Sequence, residues 1–309
     1  MSVQATMWLG FALLLMTMFI LDLGVFSRRS HEIKFREAIV WTLVWVSLAF
    51  AFNVWIYFPL GQVKALEFLT GYLIEESLSV DNLFVFIMIF TYFNVGKAHQ
   101  PKILKWGIIG ALVMRGIFIF AGIGLLARFH WMVYIFGGLL VFTGTKMAFA
   151  KEERIKPEKN LLVRLAGRFL PIYGDSHGDR FFSKEKGRFA ITPLFLTLLV
   201  VESSDVIFAM DSIPAILAVT RDPFIVYTSN IFAIMGLRCL YYLIANILEM
   251  FVYLKAGISF ILAFVGVKML INDYYPIPIH ISLMVIVSVL AIAVITSVIK
   301  GKQSGGSRK

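Results

Sequence analysis

Residues 196–219 read LTLLVVESSDVIFAMDSIPAILAV, an apolar segment long enough to cross a membrane that nevertheless contains three carboxylates. The three acids are Glu202, Asp205 and Asp211. A charged side chain near the centre of a bilayer costs about 2.5 kcal/mol or more, so three in one span require a cation, a proton or a basic partner. We interpret the rest of the sequence as the scaffold that brings this segment together with a second acidic stretch.

A second apolar stretch, residues 69–93, repeats this pattern and carries Glu75, Glu76 and Asp81. The composition around both stretches is that of a membrane protein, because 59% of the 309 residues are hydrophobic, 16% are charged and the mean hydropathy is +0.83. We therefore predict an all-α, polytopic membrane protein surrounded by lipid bilayer. The net charge of +10 does not indicate a nucleic-acid partner, because the basic residues lie in short loops between apolar runs.

Hydrophobic periodicity and length predict nine transmembrane helices. The first is interpreted as a retained span, because it lacks a basic segment before it and is followed by Arg28 and Arg29. The third and sixth exceed the length of a straight crossing, which favours tilted or broken helices. The predicted spans are residues 6–26, 36–58, 66–93, 103–127, 131–150, 191–219, 224–249, 254–272 and 277–299.

The basic residues predict the orientation. On one side of the membrane the loops and the C-terminal tail contain 22 of the 29 lysines and arginines, whereas the other side has only Lys64, Arg128 and Arg221. The positive-inside rule then places the N-terminus outside and the C-terminus in the cytoplasm of a bacterial inner membrane. Residues 151–190 form a cytoplasmic loop, in which LLVRLAGRFL is either a surface helix or part of a solvated connector, and we expect the tail from residue 300 to be disordered.

Charged residues recur in the same order after each acidic stretch, and this indicates an internal repeat. Arg115 and then Lys146 follow the first stretch, and Arg238 and then Lys268 follow the second. The two lysines lie in matching F-x-G-x-K-M segments. Three helices per repeat invert the second copy in the membrane, which is typical of secondary transporters, although duplication also occurs in non-transporters. The predicted divisions are residues 1–65 (two N-terminal helices), 66–150 (first repeat), 151–190 (loop), 191–272 (second repeat) and 273–309 (last helix and tail).

Aligning the repeats matches Asp81 with Asp211 and Glu75 with Asp205, and places polar Asn82 and Ser212 beside them. Carboxylate, amide and hydroxyl oxygens favour hard cations such as Mn²⁺, Mg²⁺ or Ca²⁺. The five histidines map to loops or span ends, and Cys239 is the one cysteine, so a zinc or copper site with His or Cys ligands is less favoured. Pro214 suggests a kink or a short unwinding that frees a backbone carbonyl for the ion.

The four basic residues of the repeats could pair with these acids. Six carboxylates against four cations leave a surplus of two negative charges, which suits one divalent cation or two protons. Arg115 and Arg238 are expected to pair with carboxylates and hold the helices in one of two states. Lys146 and Lys268 either do the same or compete with the transported ion; purely structural ion pairs remain the alternative.

The motifs at residues 75–82 (EESLSVDN), 201–216 (VESSDVIFAMDSIPAI) and 222–238 (DPFIVYTSNIFAIMGLR) resemble those of the TerC family of integral membrane proteins, especially its Alx-like members. The resemblance covers most of residues 36–299. It implies a transporter of the wider LysE-type group, linked to metal-ion homeostasis and, for Alx-like members, to manganese export. It also implies an ion site formed by the following acids: Glu75, Asp81, Glu202, Asp205 and Asp211. The family name refers to tellurium resistance, but buried acids argue against direct transport of an oxyanion.

We therefore expect an Mn²⁺ exporter that works by alternating access with protons as the counter-ion. No resident cofactor, catalytic residue or enzymatic activity is expected, and the oligomeric state stays open. Two rivals belong to other classes. One is a non-transporting membrane module of a metal or tellurite stress-resistance complex that recruits partners through residues 151–190. The other, an intramembrane aspartyl protease, is disfavoured because its expected G-x-G-D and Y-D signatures are missing from the sequence.

Overall fold

A computed structural model describes residues 3–26, 35–149, 180–185, 188–247 and 253–306 of the chain. Within these ranges the chain forms eight helices and one two-stranded hairpin. The elements in chain order are α1 (Val3–Phe26), α2 (Phe35–Tyr92), α3 (Gln100–Arg128), α4 (Met132–Phe149), β1 (Phe182–Glu185), β2 (Arg188–Ile191), α5 (Pro193–Leu217), α6 (Pro223–Ile247), α7 (Leu254–Ile271) and α8 (Ile279–Gly306).

Helix α2 consists of two helical segments, because its 58 residues are interrupted at Gly61, where φ is 82° and ψ is 177°. A positive φ of this kind is accessible to glycine at little steric cost. The chain folds back there: the rings of Phe52 and Phe68 lie 5.4 Å apart, whereas 16 residues of straight helix would separate them by about 24 Å. We refer to residues 35–60 as α2a and to residues 62–92 as α2b. They correspond to the predicted spans 36–58 and 66–93.

The predicted all-α membrane architecture is confirmed. Seven helices of the described part of the chain are long and apolar enough to cross a membrane, and α1 carries a shorter apolar stretch, Ala5–Ile20. Since α2 supplies two of the predicted crossings, each of the nine predicted spans has a helical counterpart; the count of nine crossings stays a prediction. Large apolar side chains such as Leu13, Phe58 and Phe142 are exposed, as expected for surfaces that contact lipid tails.

The packing of the helices is compatible with the internal repeat, which itself stays a prediction. Helix α2 packs against α6, α3 packs against α5, and α4 packs against α7. Exchanging each first-repeat helix for its second-repeat counterpart leaves these pairs unchanged. The two glycines of the F-x-G-x-K-M segments show the same relationship. A Cβ atom on Gly144 would lie 2.7 Å from the backbone oxygen of Ser259 in α7, and one on Gly266 would lie 2.8 Å from that of Gly137 in α4.

Two expectations about helix ends and breaks are wrong. Helix α5 is helical from Pro193 to Leu217 with Pro214 inside it, so the backbone does not unwind beside Asp211, whereas the alternative, a kink, stays a prediction. Since proline has no backbone N–H, the Met210 carbonyl lacks its usual helical donor even in a continuous helix. Helix α8 extends to Gly306, so the tail from residue 300 is helical over most of its length.

The hairpin β1–β2 is a small departure from the all-α prediction, and it ends the long loop. The proposed surface helix in that loop, residues 161–170, lies outside the described residues. Next to β1, the Phe181 ring packs against Phe195 at 6.4 Å and beneath the Lys102 ammonium at 4.7 Å. Thr192 then caps α5 by accepting a hydrogen bond from the Phe195 amide at 3.4 Å. The end of the loop is thus attached to the ends of α3 and α5 that lie on the predicted cytoplasmic side.

Candidate functional site

The Arg115 guanidinium is the centre of a buried polar cluster near the middle of the helices. Its Nη1 donates to Oε1 of Glu75 in α2b, with which it forms an ion pair, and its Nη2 lies 3.4 Å from Oδ1 of Asp205 in α5. Nη1 also lies within hydrogen-bond distance of Ser212 Oγ at 3.3 Å and Asn230 Oδ1 at 3.1 Å. All five residues are at most 5% exposed. Arg115 on α3 therefore contacts side chains from three other helices, α2b, α5 and α6. We call these five residues the Arg115 cluster.

Helical geometry explains why α5 contributes two members. Asp205 and Ser212 are seven residues apart, which places them on the same face two turns apart. Asp205 is the middle residue of the 25-residue helix, so the face meets Arg115 about halfway along α5. Glu202, one turn before Asp205 on this face, is half-buried. Its carboxylate lies against α3 at Gly110, where a Cβ atom would overlap it.

Asn230 is a member of the cluster that sequence reasoning missed. Its Nδ2 donates to Glu75 Oε2 at 3.1 Å, and its Oδ1 accepts from Arg115, so one amide joins both sides of the ion pair. The side chain is fully buried. The sequence did contain a signal, because Asn230 ends the polar triplet TSN (residues 228–230) within an otherwise apolar span.

The cluster is incompletely satisfied within the described part of the chain. Asp205 Oδ2 and Arg115 Nε are both buried and have no hydrogen-bond partner there. Buried polar atoms in native proteins nearly always have a partner, and exceptions concentrate at functional or solvated sites. With Glu75, Asp205 and Arg115 ionised, the cluster holds two negative charges and one positive charge, a net charge of −1.

Asp211 does not join the Arg115 cluster. It is half-buried, and Thr143 in α4 donates to its Oδ1 at 3.0 Å. Lys146, one turn beyond Thr143, is exposed and acts electrostatically on Asp211. The separation from Asp205 follows from the uninterrupted helix, because residues six apart point to different faces.

The other predicted site residues lie on three helices. Asp81 lies in α2b, and its side chain is outside the described residues. Asn82 on the same helix is buried, as are Arg238 on α6 and Lys268 on α7. Lys268 interacts electrostatically with Glu67, one turn from the start of α2b. Among the described residues no group of three or more His, Cys, Asp or Glu side chains converges in a geometry that could hold a metal ion. The predicted acids whose side chains the structure describes therefore do not form a preassembled metal cage.

A cavity of about 700 Å³ opens at the end of the bundle that is predicted to face outside. On one side of it, Lys64 lies 2.8 Å from Glu67 and 3.3 Å from Asp222, and Thr220 donates to Glu67 at 2.6 Å. Leu217, near the end of α5, also lines the cavity. Since Ser212 lies five residues earlier on α5, about 7.5 Å of helix separates this cavity from the Arg115 cluster.

His130 and Asp273 line the other side of the cavity, and the His130 Nε2 and Asp273 Oδ2 atoms are 2.9 Å apart. Tyr134 also donates to Asp273 at 3.0 Å. These hydrogen bonds, first that from His130 and then that from Tyr134, lower the pKa of Asp273 below its ordinary value. They connect the α3–α4 turn to the loop between α7 and α8.

Comparison with known proteins gives matches along most of the chain. The family model described as "Integral membrane protein TerC family" matches residues 60–304. The chain is 48% identical over 298 residues to "Uncharacterized membrane protein STKORF319" of Myxococcus xanthus, which covers 96% of this chain and 93% of that protein. It is 47% identical over 298 residues to "Putative membrane-bound redox modulator Alx" of Escherichia coli strain K12, with 94% and 93% covered. No solved structure matches the chain.

Proposed function

The chain belongs to the integral membrane protein TerC family, and we propose that it exports a hard divalent cation, with Mn²⁺ as the foremost candidate, by proton-linked alternating access. Assignment to this family places it among multi-pass membrane proteins. The metal ion, the direction of transport and the coupling to protons are our proposal.

The Arg115 cluster is the observation that carries the proposal. It combines two buried carboxylates, an amide oxygen and a hydroxyl oxygen around a positive charge at mid-membrane depth, and it leaves Asp205 Oδ2 unpaired in the described part of the chain. Ionisable groups at this depth are expensive and mark ion pathways. Carboxylate, amide and hydroxyl oxygens are the donors that Mn²⁺, Mg²⁺ and Ca²⁺ prefer.

Arg115 occupies the place that a bound cation would take. Glu75 and Asp205 both face its guanidinium, and a divalent ion between the same carboxylates would be strongly repelled by a guanidinium a few ångströms away. Ion binding therefore requires Arg115 to move, and its return favours release of the ion. If the ion binds only when Arg115 leaves its place, no preassembled metal cage is expected, and the described residues contain none.

Glu202 and the outer cavity define the two ends of the proposed path. Glu202 lies one turn from Asp205 toward the predicted cytoplasmic end of α5, and Leu217 lines the cavity at the other end. A cation entering from the cytoplasm would meet Glu202, pass to Asp205 and Glu75, and leave through the cavity. Protonation of the carboxylates from the outer side would complete release, because a neutral acid is a poor ligand for a hard cation.

The name of the Alx relatives suggests a second class of function, redox modulation. A thiol–disulfide mechanism within one chain needs two cysteines, and this sequence has one, Cys239, which is buried on α6. A link between metal export and cellular redox state needs no thiol chemistry in the exporter itself. We therefore favour transport as the direct activity.

Uptake of Mn²⁺ by proteoliposomes, with and without an imposed pH gradient, tests the proposal. We expect flux that exceeds that of protein-free liposomes and that responds to the pH gradient. Parallel experiments with Mg²⁺ and Ca²⁺ establish selectivity. A lack of flux for all three ions from folded protein would contradict the proposal and favour the partner-recruiting module.

A further inference from the structure

A second cavity, distinct from the ion path, lies between α7 and α8 on the surface of the bundle and has a volume of about 620 Å³. Its floor is made of small residues: a Cβ atom on Gly257 would lie 2.9 Å from that of Ala293, so the two helices touch here. Its walls are the large apolar side chains of Phe260, Ile292 and Ile299, each more than half exposed. The result is an apolar groove, which we call the α7–α8 groove.

One end of this groove is polar and positively charged. The Lys300 ammonium lies 3.0 Å from the Tyr253 hydroxyl and 4.9 Å from the centre of its ring. The Tyr253 amide donates to Ser297 Oγ at 3.0 Å, which fixes this end of α7 against α8. In the sequence, Lys302, Arg308 and Lys309 follow Lys300. The predicted orientation places this end of the groove at the cytoplasmic surface.

The length of the groove matches one leaflet of a bilayer. Its α8 wall runs from Val289 to Lys300, and 11 residues of helix span about 16 Å. The hydrocarbon core of a bilayer is about 30 Å thick, so one leaflet contributes about 15 Å. When the lipid head group is level with Lys300 and Tyr253, an acyl chain in the groove would therefore extend to the end of the groove near the bilayer centre.

We propose that the α7–α8 groove binds an anionic glycerophospholipid of the cytoplasmic leaflet. The apolar walls contact an acyl chain, and Lys300 and the Tyr253 hydroxyl contact the phosphate. Tyrosine and lysine side chains commonly occupy the head-group level, where a ring and a long aliphatic stem meet lipid and the polar ends meet charge. A zwitterionic lipid would fit the same walls but would gain less from Lys300.

Purified, delipidated full-length protein provides the test. Dioleoyl phosphatidylglycerol and dioleoyl phosphatidylcholine, which carry identical acyl chains, are titrated separately in detergent while the apparent Tm is measured. We expect phosphatidylglycerol to reach half of its effect at a roughly fivefold lower concentration, the factor that corresponds to one basic residue near an anionic surface. The Lys300→Gln variant should lose this preference. Lys97→Gln, which removes one charge from the predicted cytoplasmic surface elsewhere, should keep it.

Ala256→Phe tests the apolar part, because Ala256 is exposed and lines the groove. A phenyl ring there should occupy the acyl position and weaken the effect of both lipids, and Lys300→Gln remains decisive if Ala256→Phe folds poorly. Equal effects of the two lipids on wild type, or an unchanged preference in Lys300→Gln, would overturn the proposal. A wild-type dimer that Ala256→Phe converts to a monomer would also overturn it, since a second copy of the chain would then occupy the groove.

Discussion

Asn230 donates a hydrogen bond to Glu75 at 3.1 Å, although the two residues are 155 positions apart in the chain. The same amide accepts a hydrogen bond from Arg115, so it determines how Glu75 and Arg115 face each other. A fully buried amide with both ends engaged holds its partners in one arrangement. This relationship places α6 in the proposed ion site, to which sequence reasoning had assigned only Arg238 from this helix.

Asn230→Leu should reduce the stability of the protein. The substitution leaves Glu75 Oε2 and one donor position of Arg115 without their present partner, and an unsatisfied buried polar group costs about 1–3 kcal/mol. The free energy of unfolding in mixed micelles measures the loss. Asn272→Leu, at the end of α7 beside the outer cavity, is the matched control and should change stability little. If the two variants were equally stable, Asn230 would not hold the cluster together.

Arg115→Gln should be more damaging than Asn230→Leu. It leaves Glu75 and Asp205 as buried charges without their counter-ion, and breaking a buried ion pair from one side costs about 3–5 kcal/mol. The double variant Glu75→Gln, Arg115→Gln should recover much of that loss, because it removes one of the unpaired charges. The same unfolding measurement compares the two. A single variant as stable as wild type would show that the guanidinium does not neutralise these acids.

Gly110→Ala should impair transport, whereas Gly124→Ala on the same helix should not. The added methyl group would overlap the Glu202 carboxylate in the first case, and nothing lies within 4 Å of it in the second. Alanine favours helix over glycine at both positions by up to about 1 kcal/mol, so helix propensity does not separate the two variants. Initial rates of Mn²⁺ flux measure the difference. Equal rates for the two variants would show that Glu202 does not lie on the proposed ion path.

The contact between His130 and Asp273 should weaken in acid. The pKa of Asp273 is lowered in the folded protein, so its contribution to this contact is present above the ordinary aspartate pKa of 3.8 and is lost as the pH falls below that value. Hydrogen exchange of residues 129–134, corrected for intrinsic rates, should show less protection at pH 3 than at pH 5. Asp273→Asn should show the same protection at both values. A wild-type turn equally protected at pH 3 and pH 5 would contradict this assignment.

The sequence predicted much of the architecture for physical reasons that act locally. Helix length and apolar composition are set by the bilayer, so all nine predicted spans have helical counterparts, and the span boundary near Gly61 coincides with the break in α2. Arg115 was expected to pair with carboxylates, and it does so with Glu75 and Asp205. A charged residue in an apolar span requires a partner, but the sequence does not identify that partner.

The sequence could not predict contacts that depend on how the helices rotate and approach. Asn230 contacts Glu75 only because α6 packs against α2b, and Gly110 contacts Glu202 only because α3 packs against α5. The unwinding suggested at Pro214 does not occur, because neighbouring helices can keep a helix continuous around a proline. Asp211 was predicted to share the ion site with Asp205, yet the continuous helix turns it toward Thr143.

Asp205 is the central residue of the proposed ion site: its Oδ2 is buried and unpaired among the described residues, and its Oδ1 faces Arg115. The most direct test compares Mn²⁺ flux by wild type, Asp205→Asn and Glu37→Gln in the same proteoliposomes under an imposed pH gradient. Both variants remove one carboxylate, but Glu37 lies in the first turn of α2, outside the Arg115 cluster and the outer cavity. We predict that Asp205→Asn abolishes flux and that Glu37→Gln retains it. Flux by Asp205→Asn at the wild-type rate would contradict the claim that the Arg115 cluster is the ion site.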